Sequence, residues 1–200
     1  MRRIIAITQV TLDGVMQAPG GPEEDRRNGF THGGWAMSFV DDAAKQVIGE
    51  TIAGEFDMLL GRWTYQLFAA YWPNQGDDNP IAKAFNKATK YVATRTLEQL
   101  DWKTSQRISG DVVDELRRLK ASDGPPLHVW GSSELLQTLI AADLVDEYRL
   151  WVFPVLLGQG KRLFENGVPP RRLSLLATRS TPSGVLLNTY RPAGPSPKET

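Results

Sequence analysis

The chain has 200 residues, 41% apolar and 23% charged, a composition that excludes a disordered protein or a disulfide-stapled miniprotein. Its 23 Lys+Arg balance 23 Asp+Glu, so it lacks the basic excess of a nucleic-acid binder. There is no Cys and only His32 and His128, which excludes thiolate nucleophiles and Cys-based metal sites, and no bound metal is expected.

One domain is expected over residues 1–191, with elements alternating along it. Arg3–Val10 reads as an Ile-rich strand; only four apolar residues precede Thr8, too few for a signal peptide. A loop then runs from Asp13 to Met37, and loops of that length are usually functional or disordered. Phe39–Ala53 is predicted as a helix, with Val40, Ala44, Val47, Ile48 and Ile52 on one face and Ser38 as N-cap. Phe56–Leu60 is a short buried strand, and Gly61-Arg62-Trp63-Thr64 opens a second helix. Pro80 suits the first turn of a helix over Pro80–Ala88.

Tyr91–Thr94 and Gln106–Ile108 follow as strands, and Asp111 caps a helix carrying Val112, Val113, Leu116 and Leu119. Leu127–Trp130 is a further strand, leading through Gly131-Ser132-Ser133 into a helix striped by Leu135, Leu136, Leu139 and Ile140. Glu147–Val155 is a long strand. Arg172–Ser180 and Val185–Arg191 form a closing antiparallel hairpin around Pro182-Ser183-Gly184. Pro192–Thr200 is expected to be a disordered tail. The longest apolar run, Leu150–Leu157, is far too short to span a membrane, and a cytoplasmic address without membrane partners is expected.

This alternation predicts an α/β fold: a mostly parallel sheet with helices on both faces. In such sheets ligands bind at the carboxyl ends of the strands. Three strand-to-helix turns carry suitable chemistry. Gly61, Arg62 and Thr64 combine free helix N–H groups with two side-chain donors, although a tight turn with a solvated Arg reads the same way. Thr94 and Arg95 suit a phosphate monoester, or simply end a strand. The amides of Gly131, Ser132 and Ser133, followed by Glu134, could cradle a pyrophosphate or cap a helix. The usual G-x-G-x-x-G fingerprint is absent.

Taken in order, Thr11-Leu12-Asp13-Gly14, Gly61-Arg62-Trp63-Thr64-Tyr65, Ala93-Thr94-Arg95-Thr96, Gly131-Ser132-Ser133-Glu134 and Pro154-Val155-Leu156-Leu157-Gly158-Gln159-Gly160-Lys161-Arg162 give a resemblance. The chain resembles the dihydrofolate-reductase-like superfamily, and within it the C-terminal reductase domain of bifunctional riboflavin-biosynthesis enzymes and its stand-alone relatives. The resemblance covers residues 2–191. It implies an NADPH site, with Gly61, Arg62 and Thr64 at the cofactor phosphates. Thr94 and Arg95 would meet the adenosine 2′-phosphate, and Gly131 to Glu134 the pyrophosphate. Ser132 stands where such reductases usually carry a second Gly.

On the substrate side, Trp35 and Phe39 could wall an aromatic substrate, and Asp13 or Asp41 could deliver a proton. Arg26-Arg27 and Lys161-Arg162 are candidates for a sugar phosphate, each with an ordinary surface reading. The expected activity is an NADPH-dependent reductase acting on a small heterocyclic or sugar-derived substrate. The alternatives are a dihydrofolate or pterin reductase, which needs one buried carboxylate facing the pocket, and a non-catalytic nucleotide-binding module. A homodimer pairing through the strand Tyr148–Leu157 is also expected.

Overall fold

Strands buried on both faces must be apolar throughout, because each side chain meets a helix layer rather than water. The first strand, β1 (Ile4–Thr11), meets that condition and lies buried along nearly its whole length. In the computed structural model, which describes residues 1–76, 78–165 and 168–195, it sits inside an eight-stranded sheet. The other strands are β2 (Asp57–Gly61), β3 (Lys90–Ala93), β4 (Ser105–Ile108), β5 (Leu127–Trp130), β6 (Glu147–Phe153), β7 (Arg171–Ser180) and β8 (Leu186–Pro195). Their order is β4-β3-β2-β5-β1-β6-β8-β7; the first six run parallel, and β8 turns back against β6 and β7. The chain leaves β1, crosses to β2, and later inserts β5 between them. That reversal of winding opens a crevice at the carboxyl ends of these strands.

Five helices cover the sheet: α1 (Asp42–Ile52), α2 (Arg62–Tyr71), α3 (Pro80–Lys87), α4 (Val112–Ala121) and α5 (Ser133–Ala141). The period-two alternation of strand side chains assigns them to faces. Ile4, Ala6 and Val10 of β1 pack with Leu116 of α4 and Leu136 and Leu139 of α5. Met58 and Leu60 of β2 pack the other way, with Tyr65 of α2 and Phe85 of α3. Trp151 and Phe153 of β6 form a third cluster with Ala44 of α1 and with Val15, Phe30 and Trp35 of the long loop. That loop therefore carries its own piece of core.

At the opposite end of the sheet, Arg2 is 4% exposed and ion-paired with Asp57. Its Nε donates to Pro125 O at 2.7 Å, and its guanidinium lies 5.3 Å from the Tyr91 ring centroid. The amino ends of β1, β2 and β3 are thus welded by one cation, and only the carboxyl ends stay open.

Three expectations change. The first helix begins at Asp42, not Phe39, because Asp41 is extended and its side chain accepts from Ala44 N at 2.8 Å; Ser38 sits in a short 3-10 turn before it. Strand β6 stops at Phe153, since the following Pro154 has no N–H to continue the ladder. Strand β8 runs on to Pro195, paired with β7 across two irregularities, so residues 192–195 belong to the sheet rather than a tail; residues 196–200 lie outside the described residues. Strand β6 is flanked by β1 and β8, and its Trp151 and Phe153 are core. Among the described residues no helix is long and apolar enough to cross a membrane.

His128 of β5 lies flat on Phe56, ring centroids 4.6 Å apart, and is 4% exposed. Burial, helped by the charges of Arg149 and Arg3, lowers its pKa to about 3. The unfolded chain takes up that proton near pH 6.5, so folding opposes protonation and stability falls as the pH drops below that value. The expected result is a melting temperature that declines from pH 6.5 to 5, above the carboxylate range. His128→Phe should flatten that decline, and an unchanged slope would remove His128 as its cause.

Candidate functional site

A helix leaves its first N–H groups without intrahelical partners, and most helices satisfy them with a side chain. Here Asp41 caps α1, Asn79 caps α3 and Asp111 caps α4. Helices α2 and α5 have no side-chain cap: their N-caps are Gly61 and Ser132, neither of which bonds the first turn. Both uncapped ends open into one cleft of about 980 Å³. Their free amides and the positive ends of both helix dipoles converge there.

The two turns are held together by one hydroxyl. Gly131 and Ser132 are both left-handed, at φ 58° and 62°, the second an uncommon state for a residue with a Cβ. This conformation turns the Ser132 Oγ inward, where it accepts from Gly61 N at 3.0 Å and donates to Thr64 Oγ1 at 3.0 Å. The Ser in place of a second Gly is therefore a staple between turns, and its hydroxyl is occupied within the protein. Gly61 has an ordinary backbone (φ −75°), and an added Cβ would meet Ser132 at ordinary van der Waals distance. Its conformation does not demand glycine.

All nine residues expected at a cofactor line this cleft: Gly61, Arg62, Thr64, Thr94, Arg95, Gly131, Ser132, Ser133 and Glu134. Their roles differ in detail. Thr94 Oγ1 accepts from Thr96 N at 3.2 Å and Leu97 N at 3.1 Å, so it shapes the β3 turn. Arg62 and Arg95 are exposed and have no carboxylate partner among the described residues. The Glu134 carboxylate points away to Arg27, at 3.3 Å, leaving its backbone amide as the part suited to an anion. Among the described residues two buried donors, Thr8 Oγ1 and Trp130 Nε1, have no partner; both residues line the cleft, but the two atoms themselves are buried.

The expected catalytic carboxylates lie elsewhere. Asp13 does not line the cleft. It ties the end of β1 to the exit of β6, accepting from Thr11 Oγ1 at 2.5 Å and from Gly158 N at 2.8 Å. Its partial burial opposes ionisation, but these hydrogen bonds hold it below the usual carboxylate range. Asp41 is likewise outside the lining: it caps α1 and accepts from Ser183 N at 3.0 Å. Nor do Trp35 and Phe39 line the cleft. Trp35 is a core residue, its Nε1 donating to Gln17 O at 2.8 Å, and Phe39 packs edge-on against Phe153.

What the sequence reading passed over is the middle of the long loop. Asp25 is 7% exposed and lines the cleft. Arg27 grips it with two nitrogens at 2.8 and 2.7 Å, and Lys161 Nζ adds a third contact at 3.0 Å. Arg27 also stacks 4.3 Å above Trp63 of α2, so the loop straps across the first turns of α2 and α5. Beside it, Glu24 holds Gly20 N and Gly21 N, and burial raises its pKa. Charged residues in a Gly-rich loop gave no periodic signal by which to find this cluster.

The sheet order and the cleft at its carboxyl edge define a dihydrofolate-reductase-like fold. The chain belongs to the RibD C-terminal domain family, whose model matches residues 2–187. It is 32% identical to the uncharacterized protein YyaP of Bacillus subtilis over 196 residues, covering 94% of each chain. A pyrimidine reductase-like protein from Corynebacterium diphtheriae shares the fold at TM-score 0.61 and 11% identity, over 96% of this chain and 92% of that one. Dihydrofolate reductase from Enterococcus faecalis, in complex with NADP(H), does so at 0.58 and 14%, over 96% and 97%. A diaminohydroxyphosphoribosylaminopyrimidine deaminase/5-amino-6-(5-phosphoribosylamino)uracil reductase from Thermotoga maritima matches at 0.62 and 16%; it covers 96% of this chain, which spans 57% of that longer one.

Two substitutions read out this geometry. Ser132→Ala leaves the Gly61 N–H and the Thr64 hydroxyl without their partner, and one such loss costs about 1–3 kcal/mol. Urea unfolding should show that loss with an unchanged m-value. For Asp25, burial would raise the pKa, but Arg27 and Lys161 pull it down to about 2. Its unfolded value is near 3.9, so its stabilisation is present above that pH and is lost as the pH falls toward 2. Asp25→Asn should therefore melt lower than wild type at pH 7, with the gap closing between pH 4 and pH 2.

Proposed function

We propose that the chain is an NADPH-dependent reductase that delivers hydride to a C=N or C=O carbon of a small substrate. The observation that carries this reading is the pair of uncapped helix N-termini, α2 and α5, side by side in one cleft while the other three helices are capped. A pyrophosphate offers the negative charge and acceptor oxygens that these amides lack. Arg95 and Arg62, cations without carboxylate partners, suit the 2′-phosphate that separates NADPH from NADH. The neighbouring dihydrofolate reductase fold, solved with NADP(H), supports the same assignment.

When bound, the reduced nicotinamide supplies the hydride; the protein orients it and keeps water away. The Arg27 strap across Trp63 and Glu134 would lie over a dinucleotide held at these helix ends. Asp13 and Asp41 are committed to backbone amides outside the cleft, and the lining carboxylates Asp25 and Glu24 are held by Arg27, Lys161 and the Gly20 and Gly21 amides, so the proton is assigned to solvent.

The test is cofactor titration by tryptophan fluorescence, since Trp63 and Trp130 line the cleft. A hydrogen bond to a charged group contributes about 1.5–3 kcal/mol, so Arg95→Ala should weaken NADPH roughly 10–150-fold. NADH binding should stay nearly constant. Equal losses for both cofactors would place Arg95 away from the 2′-phosphate. Tight NADPH binding without oxidation by any carbonyl or imine compound would favour a non-catalytic nucleotide-binding module.

A further inference from the structure

A second wall of the cleft comes from the segment before α1, from α1, from the second half of α2 and from β6: Met37, Val40, Ile48, Leu67, Tyr71 and Trp151. Single exposed apolar side chains are ordinary, but several grouped in one cleft mark a surface for a ligand or partner. Yet Met37 is 57% exposed, Val40 39% and Tyr71 53%, all facing this one cleft. They form an apolar surface that the chain itself does not cover.

The charges on the loop beside this wall are already neutralised. A phosphate ester would need a cation with free donors, ideally an Arg fork. Arg27 has committed its fork to Asp25 and its remaining nitrogen to Glu134, and Lys161 is held by the same Asp25. Glu24 adds a second carboxylate here, so Glu24 and Asp25 balance Arg27 and Lys161 and leave no net positive charge. The other basic candidates are occupied as well: Arg26 pairs with Glu23, and Arg162 donates to the Asp13 and Gly158 carbonyls. Arg62 and Arg95, the cations without carboxylate partners in the lining, sit at the turns assigned to the cofactor.

A pterin ring would need one buried carboxylate facing the pocket with its oxygens available; the buried carboxylate of the lining, Asp25, is already taken by Arg27 and Lys161, and the apolar wall has none. Val40 and Ile48 stand there instead. Asp41 caps the helix, and the Asp42 side chain is 98% exposed and ion-paired with Lys45.

We infer that the substrate is a neutral, largely apolar carbonyl or imine compound, seated against Met37, Val40, Tyr71 and Trp151, and not a sugar phosphate or a pteridine. This rests on the reductase reading above. Reduction of such a compound places hydride on the carbonyl or imine carbon and a proton from water on its oxygen or nitrogen. The reduced nicotinamide is oxidised by the same two electrons.

The experiment measures binding rather than turnover. Wild-type protein, with and without saturating NADP+, is titrated with 1-naphthaldehyde, ribose 5-phosphate and folate, following tryptophan fluorescence and the thermal shift. The expected order is 1-naphthaldehyde at least tenfold tighter than either anion. Met37→Glu and Val40→Asp alter exposed positions and should leave the fold intact. Each should weaken the aldehyde about tenfold, ~1.4 kcal/mol, with NADP+ affinity unchanged. Tighter binding of ribose 5-phosphate or folate would overturn the inference. So would variants that leave the aldehyde unaffected, or that weaken NADP+ equally, which would give this wall to the cofactor. Failure of NADP+ to bind at all would sink the reductase reading and with it the assignment of the wall to a substrate, a result separable from the order among the three probes.

Discussion

The cleft depends on one hydroxyl group. Two strand-to-helix turns far apart in sequence approach at the carboxyl ends of β2 and β5, each ending in a helix whose amides lack a cap. Left alone, two positive dipole ends would repel, and their loops would have no fixed spacing. Ser132 resolves this by taking a left-handed backbone, which turns its Oγ across the gap to Gly61 N and Thr64 Oγ1. The backbone strain, on the order of 1–3 kcal/mol for such a conformation, is offset by these bonds and by the fixed spacing of the two helix ends. A capping side chain on either helix would fill the space where an anion can sit.

Around that core the protein sorts its charges by location. At the closed end, Arg2 and Asp57 weld three strands. At the open end, Asp25 gathers Arg27 and Lys161 into a strap anchored on Trp63 and Glu134. Asp13 serves a different joint, pinning the turn after β1 to the Gly158 amide. Gly160 completes that joint: it is left-handed (φ 123°), and a Cβ there would come within 2.7 Å of Val15 and 2.9 Å of Phe30. The Gly158-Gln159-Gly160 turn is thus shaped by packing against the long loop.

Several of these residues mislead when read in one dimension. Asp41 stands two residues after an aromatic and at the start of a helix, as a substrate-facing carboxylate would, yet the same position suits an N-cap, and here the cap prevails. Trp35 and Phe39 suggest an aromatic wall, but they face Phe153 in the core, while Met37 and Val40 between and beside them face the cleft. In a non-repeating segment, neighbouring residues point in unrelated directions, and no period tells which one faces the ligand.

The strand–helix alternation, the parallel sheet and the three turns that line the cleft were legible in the sequence, because period-two and period-3.6 patterns, glycines and N-cap residues act over a few positions. Gly61–Thr64, Thr94-Arg95 and Gly131–Glu134 each follow a strand within one turn. The apolar wall and the pairing of charges were decided by tertiary structure alone. Whether Arg27 and Lys161 are free or neutralised depends on Asp25, and in the case of Lys161 that partner is more than a hundred residues away. Likewise, the exposure of Met37, Val40 and Tyr71 follows from how the loop, α1 and α2 meet across the sheet, a distance over which no local pattern carries information.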